Sequence, residues 1–193
     1  MEYRKDFYPD AVEDHLSKKL EPLREPVTLW VYVDSNHAGK LANRFYQSII
    51  LIYVNNALVN FYIKRQNTFE SSSFGSEFVA LKISTEMAEE LRYKLRTFGV
   101  NLGGPSEAYC ENKLVVTKSR VTASVLNKAH NSIYYHRVRE SQAARKFRVG
   151  WIPCEYNLAY LLTKTTMTVN KIHRMVESIF YNKSVVTREK HES

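Results

Sequence analysis

Apolar positions change period several times along the chain, and each change marks an element. Residues 28–33 (TLWVYV) are β-branched and aromatic, which predicts a strand closed by Asp34. Residues 48–54 and 57–63 read as two more strands. Only Asn55 and Asn56 separate them, and Asn tolerates the left-handed conformation a tight hairpin needs. The period then lengthens. Phe74, Phe78, Leu81, Ala88, Leu91, Leu95 and Phe98 follow helical spacing, and Gly99 stands where a left-handed C-terminal cap belongs. Residues 107–110 read as a short strand with Glu111 at its end. Asn112 is placed to cap a helix reaching about Lys118. A basic helix is predicted over 124–145, with Val125, Ile133, His136 and Ala143 near one face. Residues 147–152 form a strand stopped by Pro153, Asn157 caps a helix through Lys164, and 168–181 read as a last amphipathic helix. Three consecutive strands followed by alternating helices and strands predict a mixed sheet with helices on its faces.

Composition narrows the picture only in places. Residues 1–26 are polar and broken by Pro9, Pro22 and Pro26, so they read as a lead-in or linker. The domain is expected over 27–165, followed by a C-terminal helix and basic tail over 166–193. No apolar run approaches the roughly 18 residues of a membrane span, and the N-terminus lacks a secretory signal's apolar core. Cys110 and Cys154 match no metal or disulfide framework. They read as reduced thiols in an intracellular protein, cytoplasmic or nuclear.

Charge changes the picture more. The net charge is +8, and it is uneven: residues 112–193 carry 15 basic and 5 acidic groups. A half this basic favours a polyanionic partner, most simply nucleic acid, although basic residues also serve merely to keep a surface solvated. The signatures of a serine-hydrolase elbow, a zinc protease, a phosphate-cradling loop and a dinucleotide fold are all missing, so no small-molecule cofactor is expected.

The carboxylates stand out instead. Asp34 and Glu111 each close a strand, and Glu77 borders the buried stripe of the long helix. A carboxylate at a core edge is costly unless it is paired or holds a metal. Three acids at the ends of neighbouring elements can converge on divalent cations, as two-metal nucleases require. Solvation of the strand-end acids and an ion pair for Glu77 would satisfy the same positions.

Five ordered blocks decide between these readings: VDSNHAG (33–39), KRQNTFESSSFGSEFVAL (64–81), YCEN (109–112), NKAHNSIYYHRVRE (127–140) and NLAYLLTK (157–164). In order and spacing they resemble the ribonuclease H domain of copia-type retrotransposon polyproteins. The lead-in DFYPDA (6–11) is similar to the segment joining reverse transcriptase to that domain in a subgroup of these elements. The resemblance implies the ribonuclease H fold, a five-stranded mixed sheet flanked by helices. It also implies hydrolysis of the RNA strand of an RNA–DNA hybrid by two Mg²⁺ ions held by four acids, and a reverse transcriptase domain as partner in the parent polyprotein. Three of the family's acids fall on Asp34, Glu77 and Glu111, the implied metal ligands. Lys128, Arg137, Arg139 and Lys164, inside the matched blocks of the basic half, are the expected phosphate contacts.

Three departures follow from the same alignment of motifs. The family has Asp where this chain has Glu111, and Asp where it has Tyr160. The run after the first acid, Arg44 to Ile49, lacks a basic residue, a small hydroxyl and a turn glycine. Glu111 keeps its charge but adds a methylene, and displacements near an ångström can cost ~10²-fold in rate. Tyr160 is worse, because a neutral phenol with a pKa of ~10 is a poor Mg²⁺ ligand. Glu155 is the nearest substitute. The chain is therefore expected to be an isolated, decayed fragment with cleavage weak or lost. The alternative is a non-catalytic nucleic-acid-binding module on the same fold.

Overall fold

The computed structural model describes residues 25–37, 46–66, 73–120 and 129–163, with 169, 172, 173, 176 and 177 beyond them. Five strands and three helices alternate as β1 (Leu29–His37), β2 (Tyr46–Val54), β3 (Ala57–Arg65), α1 (Ser73–Thr97), β4 (Ser106–Cys110), α2 (Lys113–Arg120), α3 (Ala129–Ala143) and β5 (Phe147–Trp151). A 3₁₀ helix, Leu158–Thr163, follows. The strands form one sheet in the order β3-β2-β1-β4-β5. The first three are antiparallel, and β4 and β5 add parallel to β1. This is the expected mixed sheet. A two-residue turn permits only antiparallel pairing, whereas the crossovers through α1 and through α2 and α3 permit parallel addition.

Alternation along β1 divides its side chains between the two faces. Val31 and Val33 join Ile50, Ile52, Ala108, Cys110 and Val149 in one buried cluster, together with Phe78 and Leu81 of α1 and Tyr135 and Val138 of α3. Phe78 is the hinge of this packing, edge-on to Phe74 at 5.0 Å and tilted against Tyr135 at 5.7 Å. Helices therefore cover this face, and β1 is held centrally with a strand on each side. The register Asp34↔Ile49 and Val33↔Cys110 fixes the ends of β1 and β4 beside one another.

The local signals hold in detail. Asn55 takes a left-handed φ of 52° at the hairpin turn, and Gly99 a φ of 75° after α1. Asn112 caps α2, its side-chain oxygen accepting the backbone N–H groups of Leu114 at 2.9 Å and Val115 at 3.4 Å. Three expectations are corrected. Strand β1 runs past Asp34 to His37, because its pairing with β2 continues through polar residues, Ser35↔Ser48 to His37↔Tyr46. Phe98 is 67% exposed: α1 stops at Thr97, so Phe98 lies in the turn rather than on the apolar stripe. Ile133 is 68% exposed, since α3 buries the face of Tyr135, Val138 and Arg139 instead. No helix among the described residues is long and apolar enough to cross a membrane. Both cysteines are free thiols, Cys110 buried and Cys154 exposed.

Candidate active site

Asp34 sits on the central strand and is only 4% exposed. One of its carboxylate oxygens accepts the backbone N–H of Ser35 at 2.8 Å. The Ser35 hydroxyl meets that of Ser76 at 3.0 Å, and the Ser76 hydroxyl donates to the Ser73 carbonyl at 2.7 Å. The first turn of α1 is thereby fastened to β1 beside Asp34. Gln66 adds a second fastening, donating to the Ser48 hydroxyl and the Ser76 carbonyl, both at 2.8 Å.

This anchoring sets the position of Glu77, one residue along α1. Glu77 is 8% exposed, with the Cys110 thiol donating to one oxygen at 3.6 Å and the Asn112 amide to the other at 3.2 Å. Its carboxyl is pushed up to about 7. Burial is the main cause, the Asp34 and Glu111 charges push in the same direction, and the Asn112 and Cys110 donors pull part of the way back. Burial and the Glu77 charge push the Cys110 thiol well above its ordinary value, so it remains a neutral donor. Three carboxylates from β1, α1 and the end of β4 thus share one field.

Glu111 is held from the neighbouring strand β5. The Trp151 indole N–H donates to its backbone carbonyl at 2.8 Å, and the Lys113 ammonium lies 4.4 Å from the centre of the Trp151 ring. This bond fixes the backbone of Glu111 at the end of β4. Among the described residues no three His, Cys, Asp or Glu side chains are arranged as a ready-made metal shell. Both oxygens of Glu77 accept from protein donors. The donor chemistry nonetheless suits a hard divalent cation, since a Glu77 carboxyl raised by burial and by the Asp34 and Glu111 charges would gain from a positive charge.

Asn157 anchors the turn that carries Tyr160. Its side chain is fully buried, donating to the Val33 carbonyl at 3.0 Å and accepting the Ala159 N–H at 3.2 Å. The Tyr160 N–H donates to the Asn157 carbonyl at 3.0 Å. The cap expected at Asn157 is present, but the turn it opens is 3₁₀ rather than α. It packs on β1 and β2. Asn157→Ala leaves the Val33 carbonyl and the Ala159 N–H buried without this partner. It is expected to cost about 2 kcal/mol in urea unfolding. An unchanged midpoint would mean that the 3₁₀ turn is held by its apolar side chains alone.

The expected phosphate contacts divide. Lys128 and Lys164 lie outside the described residues. Arg139 is 4% exposed, with its guanidinium 3.8 Å from the centre of the Tyr135 ring and donating to the Lys118 carbonyl at 3.1 Å. Its stacking and hydrogen bond make it part of the packing between α2 and α3, so it is not a surface cation. Arg137 is bonded to Glu89 and lies 3.4 Å from Glu140. Glu155, the possible substitute ligand, is exposed in the segment before the 3₁₀ turn. The roles of Cys110 and Trp151 and the clamp made by Asn157 are not among the sequence expectations, although Cys110 lies within YCEN and Asn157 opens NLAYLLTK.

No protein-family model matches the chain. Solved structures do. The N-terminal RNase H domain of a Mycobacterium tuberculosis protein superposes with a TM-score of 0.52 at 13% identity, covering 79% of this chain and 98% of that one. RNase H1 from Halobacterium salinarum gives 0.51 at 14% identity, over 72% and 94%. LC11-RNase H1, solved in complex with an RNA/DNA hybrid, gives 0.52 at 16% identity, over 67% and 88%. With the strand order and helix placement above, these similarities establish that the chain has a ribonuclease H-like fold.

Proposed function

We propose that this chain is a ribonuclease H-like domain of copia-type retrotransposon origin that binds RNA–DNA hybrid and has lost most of its power to cleave it. The observation that carries the reading is the placement of two buried acids, Asp34 on the central strand and Glu77 on the first turns of α1, the Glu77 carboxyl being pushed up first by its burial and then by the Asp34 and Glu111 charges. The sequence blocks that resemble copia-type ribonuclease H supply the same three acids, and LC11-RNase H1 of like fold was solved on a hybrid. Asp34, Glu77 and Glu111 are the residues that would hold Mg²⁺. When bound, the metal supplies a Lewis acid that activates water and stabilises the leaving oxygen of a phosphodiester.

The chain's own residues then decide how well the site performs. Asp34 is held by the Ser35 N–H on the central strand. Glu77 is oriented by Asn112 and Cys110. Glu111 overreaches by one methylene, and Tyr160 offers a neutral hydroxyl where the family places a carboxylate. The basic half supplies phosphate affinity, and a reverse transcriptase domain joined ahead of DFYPDA would present the hybrid.

A non-catalytic binding module is the second reading, favoured by Tyr160. One experiment separates the two: Mg²⁺-dependent cleavage of a hybrid labelled on its RNA strand, beside a binding titration at ~50 and ~200 mM salt. Binding is expected to weaken steeply over this range, as counterion release requires. Cleavage is expected at a trace level that Asp34→Asn abolishes. Trace cleavage insensitive to Asp34→Asn would remove the three-acid site from the account, and salt-independent binding would remove the electrostatic one.

A further inference from the structure

The sheet face opposite the main helical cluster carries an unusual run of rings. Trp30, Tyr32 and Asp34 follow at every second position of β1, so they share one face. Tyr109 on β4 pairs with Tyr32, and Tyr53 on β2 pairs with Trp30. The four rings form one cluster. Trp30 and Tyr109 lie nearly parallel, with centres 5.9 Å apart and planes 14° from parallel. Tyr32 meets Tyr53 edge-on and Tyr109 at a tilt, each at 5.7 Å.

Next to these rings is a cleft of about 460 Å³, walled by Asn55 and Asn56 of the hairpin turn on one side and Leu158 of the 3₁₀ turn on the other. Gly150, paired with Tyr109 on β5, lets the Tyr109 ring lie close to the sheet: a Cβ there would stand 3.2 Å from the ring. The lining holds phenols and amides and no charged side chain. One of its polar groups is unsatisfied. Tyr53 is 3% exposed, and its hydroxyl has no hydrogen-bond partner among the described residues. A buried hydroxyl without a partner costs free energy that a bound ligand can recover.

We infer that this aromatic cleft is a second binding site, which takes a nucleobase by stacking and hydrogen-bonds the base edge through the Tyr53 hydroxyl and the Asn55–Asn56 turn. A neutral, aromatic, amide-rimmed pocket suits an uncharged planar heterocycle and disfavours an ionic metabolite. The size admits more than one ring. Sequence-tolerant stacking on sheet aromatics is a general means of holding unpaired strands. Trp30 and Asp34 lie on one strand face about 13 Å apart, with Tyr32 between them. An unpaired strand leaving the acidic end could reach the cleft, so the site adds to the proposed hybrid function without requiring cleavage.

The test uses the full chain carrying Trp151→Phe, which leaves Trp30 as its single tryptophan. Adenosine monophosphate and a short single-stranded RNA are titrated separately, with Trp30 fluorescence as the readout. Saturable quenching is expected, weakened about 10-fold or more by Tyr109→Ala and unchanged by Asp34→Asn. Tyr53→Phe removes only the hydroxyl without an internal partner, so the fold is kept and affinity should fall several-fold. Quenching by both ligands assigns the site to the base itself, and quenching by RNA alone assigns it to a strand; either supports the site. No saturable quenching by either, or equal affinity in Tyr109→Ala and Tyr53→Phe, overturns it. Because Asp34 and Tyr160 take no part, failure here leaves the hybrid reading standing, and failure of hybrid cleavage leaves this site standing.

Discussion

The double variant Tyr160→Asp plus Glu111→Asp is expected to cleave the RNA strand of a hybrid at least ~10²-fold faster than the unmodified chain in Mg²⁺. The two changes act differently. Tyr160→Asp introduces a negative charge in the 3₁₀ turn, whose start is clamped by Asn157 to the carbonyl of Val33, the residue before Asp34 in the sequence. Glu111→Asp only shortens the reach of a side chain whose backbone is already fixed by the Trp151 indole. The single Tyr160→Asp should therefore give the larger share of the gain. Adding Asp34→Asn to the double variant should abolish the recovered activity while leaving hybrid binding intact. Failure of the double variant to gain activity, with folding and binding unimpaired, would place the damage beyond the acids, with the altered Arg44–Ile49 run the first suspect.

How much of this site was legible in the sequence depends on the range of the interaction that builds each part. Turns and helix caps are local. The Asn112 cap, the Asn55 turn and the Gly99 cap could all be read from neighbours a few residues away. The sheet order followed from the two-residue hairpin and the longer crossovers. What could not be read were contacts set by packing at a distance in the chain. The Cys110 thiol reaches Glu77 across 33 positions, and Asn157 reaches Val33 across 124. No periodicity announces either. Arg139 shows the opposite error. A basic helix suggests solvent-facing cations, yet α3 turns Arg139 inward onto Tyr135, because the packing of α3 against α1 and α2 outweighs the polarity of one residue. The aromatic row of β1 was visible only as strand propensity, since its meaning depends on Tyr53 and Tyr109 arriving from other strands.

Glu77→Gln is expected to make the folded chain more stable above neutral pH, by about 3 kcal/mol at pH 8. The sign follows from the protons bound in each state. Glu77 is raised from 4.5 to about 7 in the folded chain, so between these values the folded state holds a proton that the unfolded state has released. Folding stability therefore falls as pH rises from about 4.5, and the loss is complete once the folded-state carboxyl has ionised above about 7. At about 1.36 kcal/mol per pKa unit, the interval corresponds to about 3 kcal/mol. Gln cannot ionise, and its side-chain oxygen can still accept the Asn112 amide, so the variant escapes the penalty and keeps part of the hydrogen bonding. Urea unfolding followed from pH 4.5 to 8 should show the two chains close together at the acid end and separating with Gln the more stable as pH rises. Mg²⁺ added at pH 8 should raise the midpoint of the unmodified chain and leave the Gln variant nearly unmoved, because binding to the folded state alone adds stability. A constant gap at every pH would show that the variant acts through packing. A Mg²⁺ response as large in Glu77→Gln as in the unmodified chain would show that the cation is held without this carboxylate.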